Sequence, residues 1–310
     1  MKKMVDNKSF SERIHCSSDP FSLDAVIIPE IKVAALDGTP PHAVEPLYPG
    51  AFETTVNMSD CWDEDILRKN REKIINVSKK VSSYHNQCVA LLKALSSLIS
   101  DNSEICSQYI KNDKIKKTVK SITDRETKQI KGKTPLEKKR FLSSVTPKGF
   151  ILFTDTVKNV CDKIYLLKDP YGGVSEAFIE EIRKILLKKG FEIYTAISPL
   201  TLKPEHILVP KLKLGFLTST SFLPLENAIT PYRTIHYTRF CDTEKLKCRK
   251  ARMKFNLKVA GELLNEAVCA VKNAKETHDV LESFYKEAID YDKVKAKTDS
   301  VLKKVENPPQ

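Results

Sequence analysis

Apolar residues fall into short runs of strand length and into long stretches at helical spacing, a mixture that predicts an α/β protein. The most apolar short run is Val26-Ile27-Ile28-Pro29-Glu30-Ile31-Lys32-Val33-Ala34-Ala35-Leu36, and it ends in Asp37-Gly38. Such an ending predicts a buried strand that delivers one carboxylate to the edge of a sheet, like a Walker B strand. The run recurs as Ile207-Leu208-Val209-Pro210-Lys211-Leu212-Lys213-Leu214-Gly215-Phe216-Leu217-Thr218. Pro29 and Pro210 are 181 residues apart, and so are Asp37 and Thr218. The chain therefore reads as a duplication, with a repeat too long for a solenoid unit and of domain size.

The same elements are expected around each copy of the run. In the first copy a short strand at residues 12–18 leads into a loop with Asp19 and Asp24, and a further strand is expected at Phe52–Met58. Helical periodicity then runs from Ile66 to about Ser100, and again from about Ser103 to Thr123, as a hairpin. In the second copy a helix at Ile151–Val160 precedes the strand Lys163–Lys168, the loop Asp169-Pro170-Tyr171-Gly172-Gly173-Val174 and the amphipathic helix Ser175–Lys189. Gly190 is placed as a C-cap glycine, and the strand Phe191–Ile197 completes a βαβ unit, so parallel sheets are expected. A strand at Thr234–Phe240 and a helical hairpin from Thr243 to about Val305 close the chain. The predicted organisation is a first half over residues 1–125, a basic linker over 126–137 and a second half over 138–310.

Charge changes this picture less than its total suggests. The net +12 is uneven: residues 111–140 hold twelve basic against four acidic side chains, whereas residues 1–66 hold five against twelve. Basicity is thus a local feature of a connector, and nucleic-acid binding through Lys111 to Arg140 is possible but not favoured. No apolar run approaches the length of a membrane span, and the eight cysteines include no C-x-x-C pair, which points to reduced thiols in the cytoplasm.

The loop at 169–174 sits where a P-loop cradles phosphate, between a buried strand and a helix N-terminus. The motif G-x-x-x-x-G-K-[ST], laid over it, finds Asp169 at the first glycine, Val174 at the last, Ser175 at the lysine and Glu176 at the hydroxyl residue. Only Gly172 and Gly173 remain as loop glycines. The constant offset sets Met1 opposite Ile182, downstream of where a first phosphate loop would lie, so a truncated or mis-started first half is expected.

His15-Cys16-Ser17-Ser18-Asp19-Pro20, Val26 to Glu30, Leu36-Asp37-Gly38-Thr39-Pro40-Pro41-His42 and Thr146-Pro147-Lys148-Gly149-Phe150 together resemble an uncharacterised bacterial family of duplicated P-loop ATPase-like proteins. The resemblance covers nearly the whole chain. It implies two P-loop NTPase-type three-layer α/β domains with parallel sheets, each followed by a long helical hairpin, with ATP and Mg2+ as ligands. It places Asp37 at the Walker B acid, reaching magnesium through water.

His15, Asp19, Asp24, Asp37 and His42 cluster near predicted strand ends, where open α/β sheets bind ligands. At constant offset their counterparts are Ala196, Leu200, Glu205, Thr218 and Leu223. Asp37, His15, Asp19 and His42 are therefore the catalytic candidates, with Thr39, Gly172, Gly173 and Ser175 as cofactor-binding candidates. The simpler expectation for Asp37 is a turn cap beside Gly38. The expected function is a P-loop ATPase-family protein that is weak or inactive as an ATPase. The alternative is a non-catalytic scaffold or regulatory protein that meets protein partners through its helical hairpins.

Overall fold

The computed structural model describes residues 10–39, 43–128 and 134–306, so the candidate His42 and part of the basic linker lie outside the described residues. In chain order the elements are β1 (Glu12–His15), β2 (Leu23–Ile28), β3 (Val33–Leu36), α1 (Glu64–Lys69), α2 (Arg71–Ser107) and α3 (Asn112–Glu126). Then come β4 (Leu136–Arg140), β5 (Ser143–Thr146), β6 (Gly149–Leu152), α4 (Thr154–Val160), β7 (Lys163–Lys168), α5 (Gly173–Lys188) and β8 (Glu192–Ile197). The chain continues through β9 (Pro204–Val209), β10 (Leu214–Ser219), β11 (Arg233–His236), α6 (Thr243–Leu246), α7 (Lys250–Ala288) and α8 (Tyr291–Glu306). They form two compact units, one of Met1–His85 with Val271–Gln310 and one of Asn86–Ala270. Among the described residues no helix is long and apolar enough to cross a membrane.

The unit of Asn86–Ala270 is built on a six-stranded mixed sheet in the order β11-β7-β10-β9-β8-β4. All neighbours pair in parallel except at β9, which runs antiparallel to β8 and β10. One face is covered by α3, α5 and the end of α2, where Ile115, Val119, Ile122, Phe178 and Ile182 pack on Tyr165, Phe216 and Ile193. The opposite face packs Val157 of α4 with Leu223, Leu225 and Ile229 against Leu166, Leu208 and Leu217. This is a three-layer α/β sandwich with a largely parallel sheet. On α3 the apolar stripe is buried while Lys114, Lys116, Lys117 and Lys120 face solvent, so much of the local basicity is the wet face of an amphipathic helix.

Three expectations are corrected here. The apolar run is a hairpin rather than one strand, because Pro29–Ile31 forms a 3-10 turn and Lys32 adopts the left-handed region (φ 53°, ψ 37°), which reverses the chain. The first-copy strands accordingly make a three-stranded antiparallel sheet, β1-β2-β3, and not a parallel one. Phe52–Met58 forms no strand, only a bridge from Pro49 to Glu53. The end of the basic segment, in contrast, is the edge strand β4, its charges suited to an exposed edge. Glu137 of β4 takes a two-pronged bond from Arg183 of α5 at 2.7 and 2.6 Å and a third from the Thr195 hydroxyl at 2.7 Å. The Arg183 bonds, with the Thr195 bond and against the cost of burial, pull its carboxyl down to about 2.

The two similar runs share local geometry. Pro210–Leu212 repeats the 3-10 turn, and Lys213 repeats the left-handed residue (φ 48°, ψ 41°). Arg13↔Val26 and Ile14↔Ala25 match Thr195↔Ile207 and Ala196↔His206, and an irregularity follows Ile14 as it follows Ala196. His15 thus answers Ile197 rather than Ala196, because the loop from His15 to Leu23 is one residue longer than its counterpart from Ile197 to Pro204.

Gly173 marks a close approach of α5 and α2: a Cβ there would lie 2.5 Å from the Cys106 Cβ and 2.9 Å from the Ser103 carbonyl oxygen of α2. Neither neighbour is the free end of a flexible side chain. Gly173→Ala is expected to cost about 1–3 kcal/mol through overpacking, read as a lower urea midpoint at unchanged slope.

Candidate functional site

Between β7 and α5 the chain makes the strand–loop–helix turn on which phosphate cradles are built. Gly172 takes φ 85° to start the helix, and Gly173 permits the close approach of α2. The helix N-terminus supplies N–H groups with no partner inside the helix. In this protein they face a side chain of the same loop. Asp169 is fully buried and accepts the Ser175 N–H at 2.8 Å and the Tyr171 N–H at 3.2 Å. Burial pushes its carboxyl above the ordinary value, against the opposing pull of backbone N–H groups from Ser175, Tyr171, Gly172 and Val174. Burial, with the Asp169 charge, pushes the neighbouring Cys106 thiol up as well. Ser175, at the position of the motif's lysine, is also buried and donates its hydroxyl to the Gly172 carbonyl at 2.9 Å.

Beyond the loop lies a small cleft past the carboxyl ends of β7, β8 and β10, the usual ligand position of an open α/β sheet. Its charged lining is Glu176, Glu205 and Lys203. Lys203 is already paired with Glu176 at 2.7 Å, and Glu176 also accepts the Ser103 hydroxyl at 2.8 Å. The wall therefore offers no unpaired positive charge to attract phosphates.

Glu205 and His206, at the start of β9, were not candidates in the sequence beyond Glu205 as the counterpart of Asp24. A polar pair opening an apolar run, Pro204-Glu205-His206-Ile207-Leu208-Val209, was the available signal. The His206 Nδ1 accepts the Thr218 N–H at 3.0 Å, so in the neutral ring the proton sits on Nε2. That atom is buried and has no hydrogen-bond partner among the described residues, and it lies 3.5 Å from Glu205 Oε2. Burial holds His206 down to about 3 and lifts Glu205 to about 7, although the Ser143 hydroxyl donates to Glu205 at 3.3 Å. Thr218, the counterpart of Asp37, gives its hydroxyl to the Glu205 carbonyl at 2.8 Å, so this copy offers no acid there.

The first-copy candidates lie in the other unit. The structure brings Asp37 and Thr39 together: the carboxylate accepts the Thr39 N–H at 2.9 Å and its hydroxyl at 2.8 Å, closing an exposed turn. The His15 Nδ1 bonds the Pro20 carbonyl oxygen at 2.7 Å, across the loop between β1 and β2. Asp19 accepts the Phe21 N–H at 3.2 Å and the Ser22 hydroxyl at 2.9 Å, with Lys275 of α7 at 3.7 Å. All of these contacts but the Asp19–Lys275 pair organise a turn.

Opposite slopes in pH follow from the buried pair. Glu205, raised from 4.5 to about 7, contributes stability that is present below pH 4.5 and lost as pH rises through 7. His206, lowered from 6.5 to about 3, contributes stability that is present above pH 6.5 and lost as pH falls towards 3. Glu205→Gln removes the first slope and leaves the second. Between pH 7 and pH 5 the variant is expected to lose about 2 kcal/mol more than the native chain in urea unfolding, at 1.36 kcal/mol per pKa unit. Equal losses would contradict the pairing.

The chain matches no protein-family model, no curated protein and no solved structure.

Proposed function

We propose that this chain is a P-loop-type protein by descent that has lost nucleotide hydrolysis and works as a non-catalytic scaffold or regulatory module. The observation that carries the reading is the Asp169 carboxyl group on the Ser175 N–H at 2.8 Å, in the place where a phosphate oxygen would have to bond. Phosphoryl transfer depends on positioning and on positive charge around the transferred group. Here the loop carries an acid and no lysine, and the one cleft lysine is neutralised by Glu176. ATP with Mg2+, the ligands implied by the family resemblance, therefore do not fit the loop at 169–174, and the Asp37 Oδ1 is taken up by the Thr39 N–H and hydroxyl.

A scaffold reading is supported by the helices. The helices α2 and α7 are long and bond each other through Asp101 and Asn102 to Arg252, Met253 and Asn256, rather than forming the expected hairpins with α3 and α8; they leave apolar side chains such as Val89, Phe255 and Val280 at the surface, where a protein partner can cover them. All eight cysteines are free thiols, which suits the cytoplasm. Nucleic-acid binding through the exposed α3 lysines is the weaker alternative, and it requires strongly salt-dependent affinity.

Thermal unfolding with and without ligand tests the proposal. The midpoint of the native chain is expected to stay unchanged in millimolar Mg-ATP or pyrophosphate. Asp169→Gly restores the motif's first glycine and frees the N–H groups, so pyrophosphate is expected to raise that variant's midpoint. A rise of several degrees for the native chain with Mg-ATP would contradict the proposal.

A further inference from the structure

β3 and β10 are the same strand of the repeat in two settings. β10 is buried along its whole length and is paired on both sides, by β9 and by β7. Among the described residues β3 is paired by β2 on one side only. The Asp37 N–H donates to the Asp24 carbonyl at 2.7 Å, which sets the phase of the β2–β3 ladder. By the alternation of an antiparallel pair, Val33 and Ala35 also turn their backbone groups towards β2, while Ala34 and Leu36 turn theirs outward. Among the described residues no backbone group bonds Ala34 or Leu36 on that side.

The repeat shows what completes such an edge. Ala34 and Leu36 correspond to Gly215 and Leu217, and β7 runs parallel along β10 from Leu214↔Lys163 to Ser219↔Lys168. The covering strand is apolar on both faces, with Ile164 to Leu167 all buried, and carries a lysine at each end. Transferred to β3, that register sets the terminal lysine opposite Gly38 and beside the exposed Asp37 carboxylate. Apolar surface lies on the strand itself: Leu36 is 57% exposed.

We propose that the outer edge of β3 is a docking site for an extended segment of a partner polypeptide, which adds to the sheet as a parallel strand. The segment it fits has about six residues in the image of β7, apolar in the middle and ending in a basic residue that meets Asp37. This deepens the scaffold reading and rests on it for the existence of a partner. The experiment reads β3 alone, so its failure is separable from the outcome with nucleotides.

The probe is a fluorescein-labelled peptide of residues 162–170 of this chain, titrated with the full chain and followed by anisotropy and by amide hydrogen exchange. The expected result is saturable binding with slowed exchange at Ala34 and Leu36. Ala34→Pro removes an outward N–H and leaves the β2–β3 ladder intact, and it is expected to weaken binding at least tenfold. No saturable binding, or equal binding by Ala34→Pro and the native chain, overturns the proposal. Protection of Ala34 and Leu36 that grows with protein concentration and without peptide also overturns it, by showing that a second copy takes the edge.

Discussion

A carboxyl group of the chain itself occupies the N-terminal amides of α5, and much of the surrounding architecture depends on that contact. A helix that starts inside a sandwich carries N–H groups that water cannot reach, and leaving them unbonded costs about 1–3 kcal/mol each. Asp169 answers one of them, the Ser175 N–H at 2.8 Å, and also takes the loop N–H of Tyr171 at 3.2 Å. With the helix start satisfied internally, α2 can close over it, at a distance that admits only glycine at position 173. Burial then follows for Cys106 and Ser175. A phosphate could satisfy the same amides, but it would need an open approach and a cation. This fold closes the first with Asp169 and pairs Lys203 with Glu176.

The two similar runs show how one local pattern takes two settings. Both fold the Pro-containing turn with a left-handed lysine, Lys32 or Lys213, and both keep the same pairing with the strand before. What differs is the company. Around the second run β7, β11 and β4 extend the three strands β8, β9 and β10 to six, and the strand after the turn becomes fully buried. In the first copy three strands stand with Val26 as their one fully buried apolar residue, and the counterpart of Thr218 becomes an exposed Asp37. Its polar residues hold turns: Asp37 with Thr39, His15 with Pro20, Asp19 with Ser22.

How far the residues announced this depends on the kind of signal. The unit from Lys163 to Ile197 was legible because a buried apolar strand, a glycine loop, an amphipathic helix and a closing Gly190 are each local patterns, and all four are realised. The acid at the motif's first glycine was legible too; its burial and its bonds to the helix amides are tertiary facts. The hairpin was hidden because the turn residues sit inside an apolar run, and a lysine at positive φ has no sequence signature. β4 was hidden by its charges, which suit an edge strand as well as a linker. The His206 ring was missed because its position depends on Thr218, twelve residues away on the neighbouring strand.

Amide hydrogen exchange at Tyr171 and Ser175 tests the occupied cradle most directly. If Asp169 fills it, both amides exchange slowly in the native chain without ligand, and millimolar pyrophosphate leaves their rates unchanged. Fast exchange that slows when pyrophosphate is added would show an open phosphate site, and would contradict a cradle closed by Asp169.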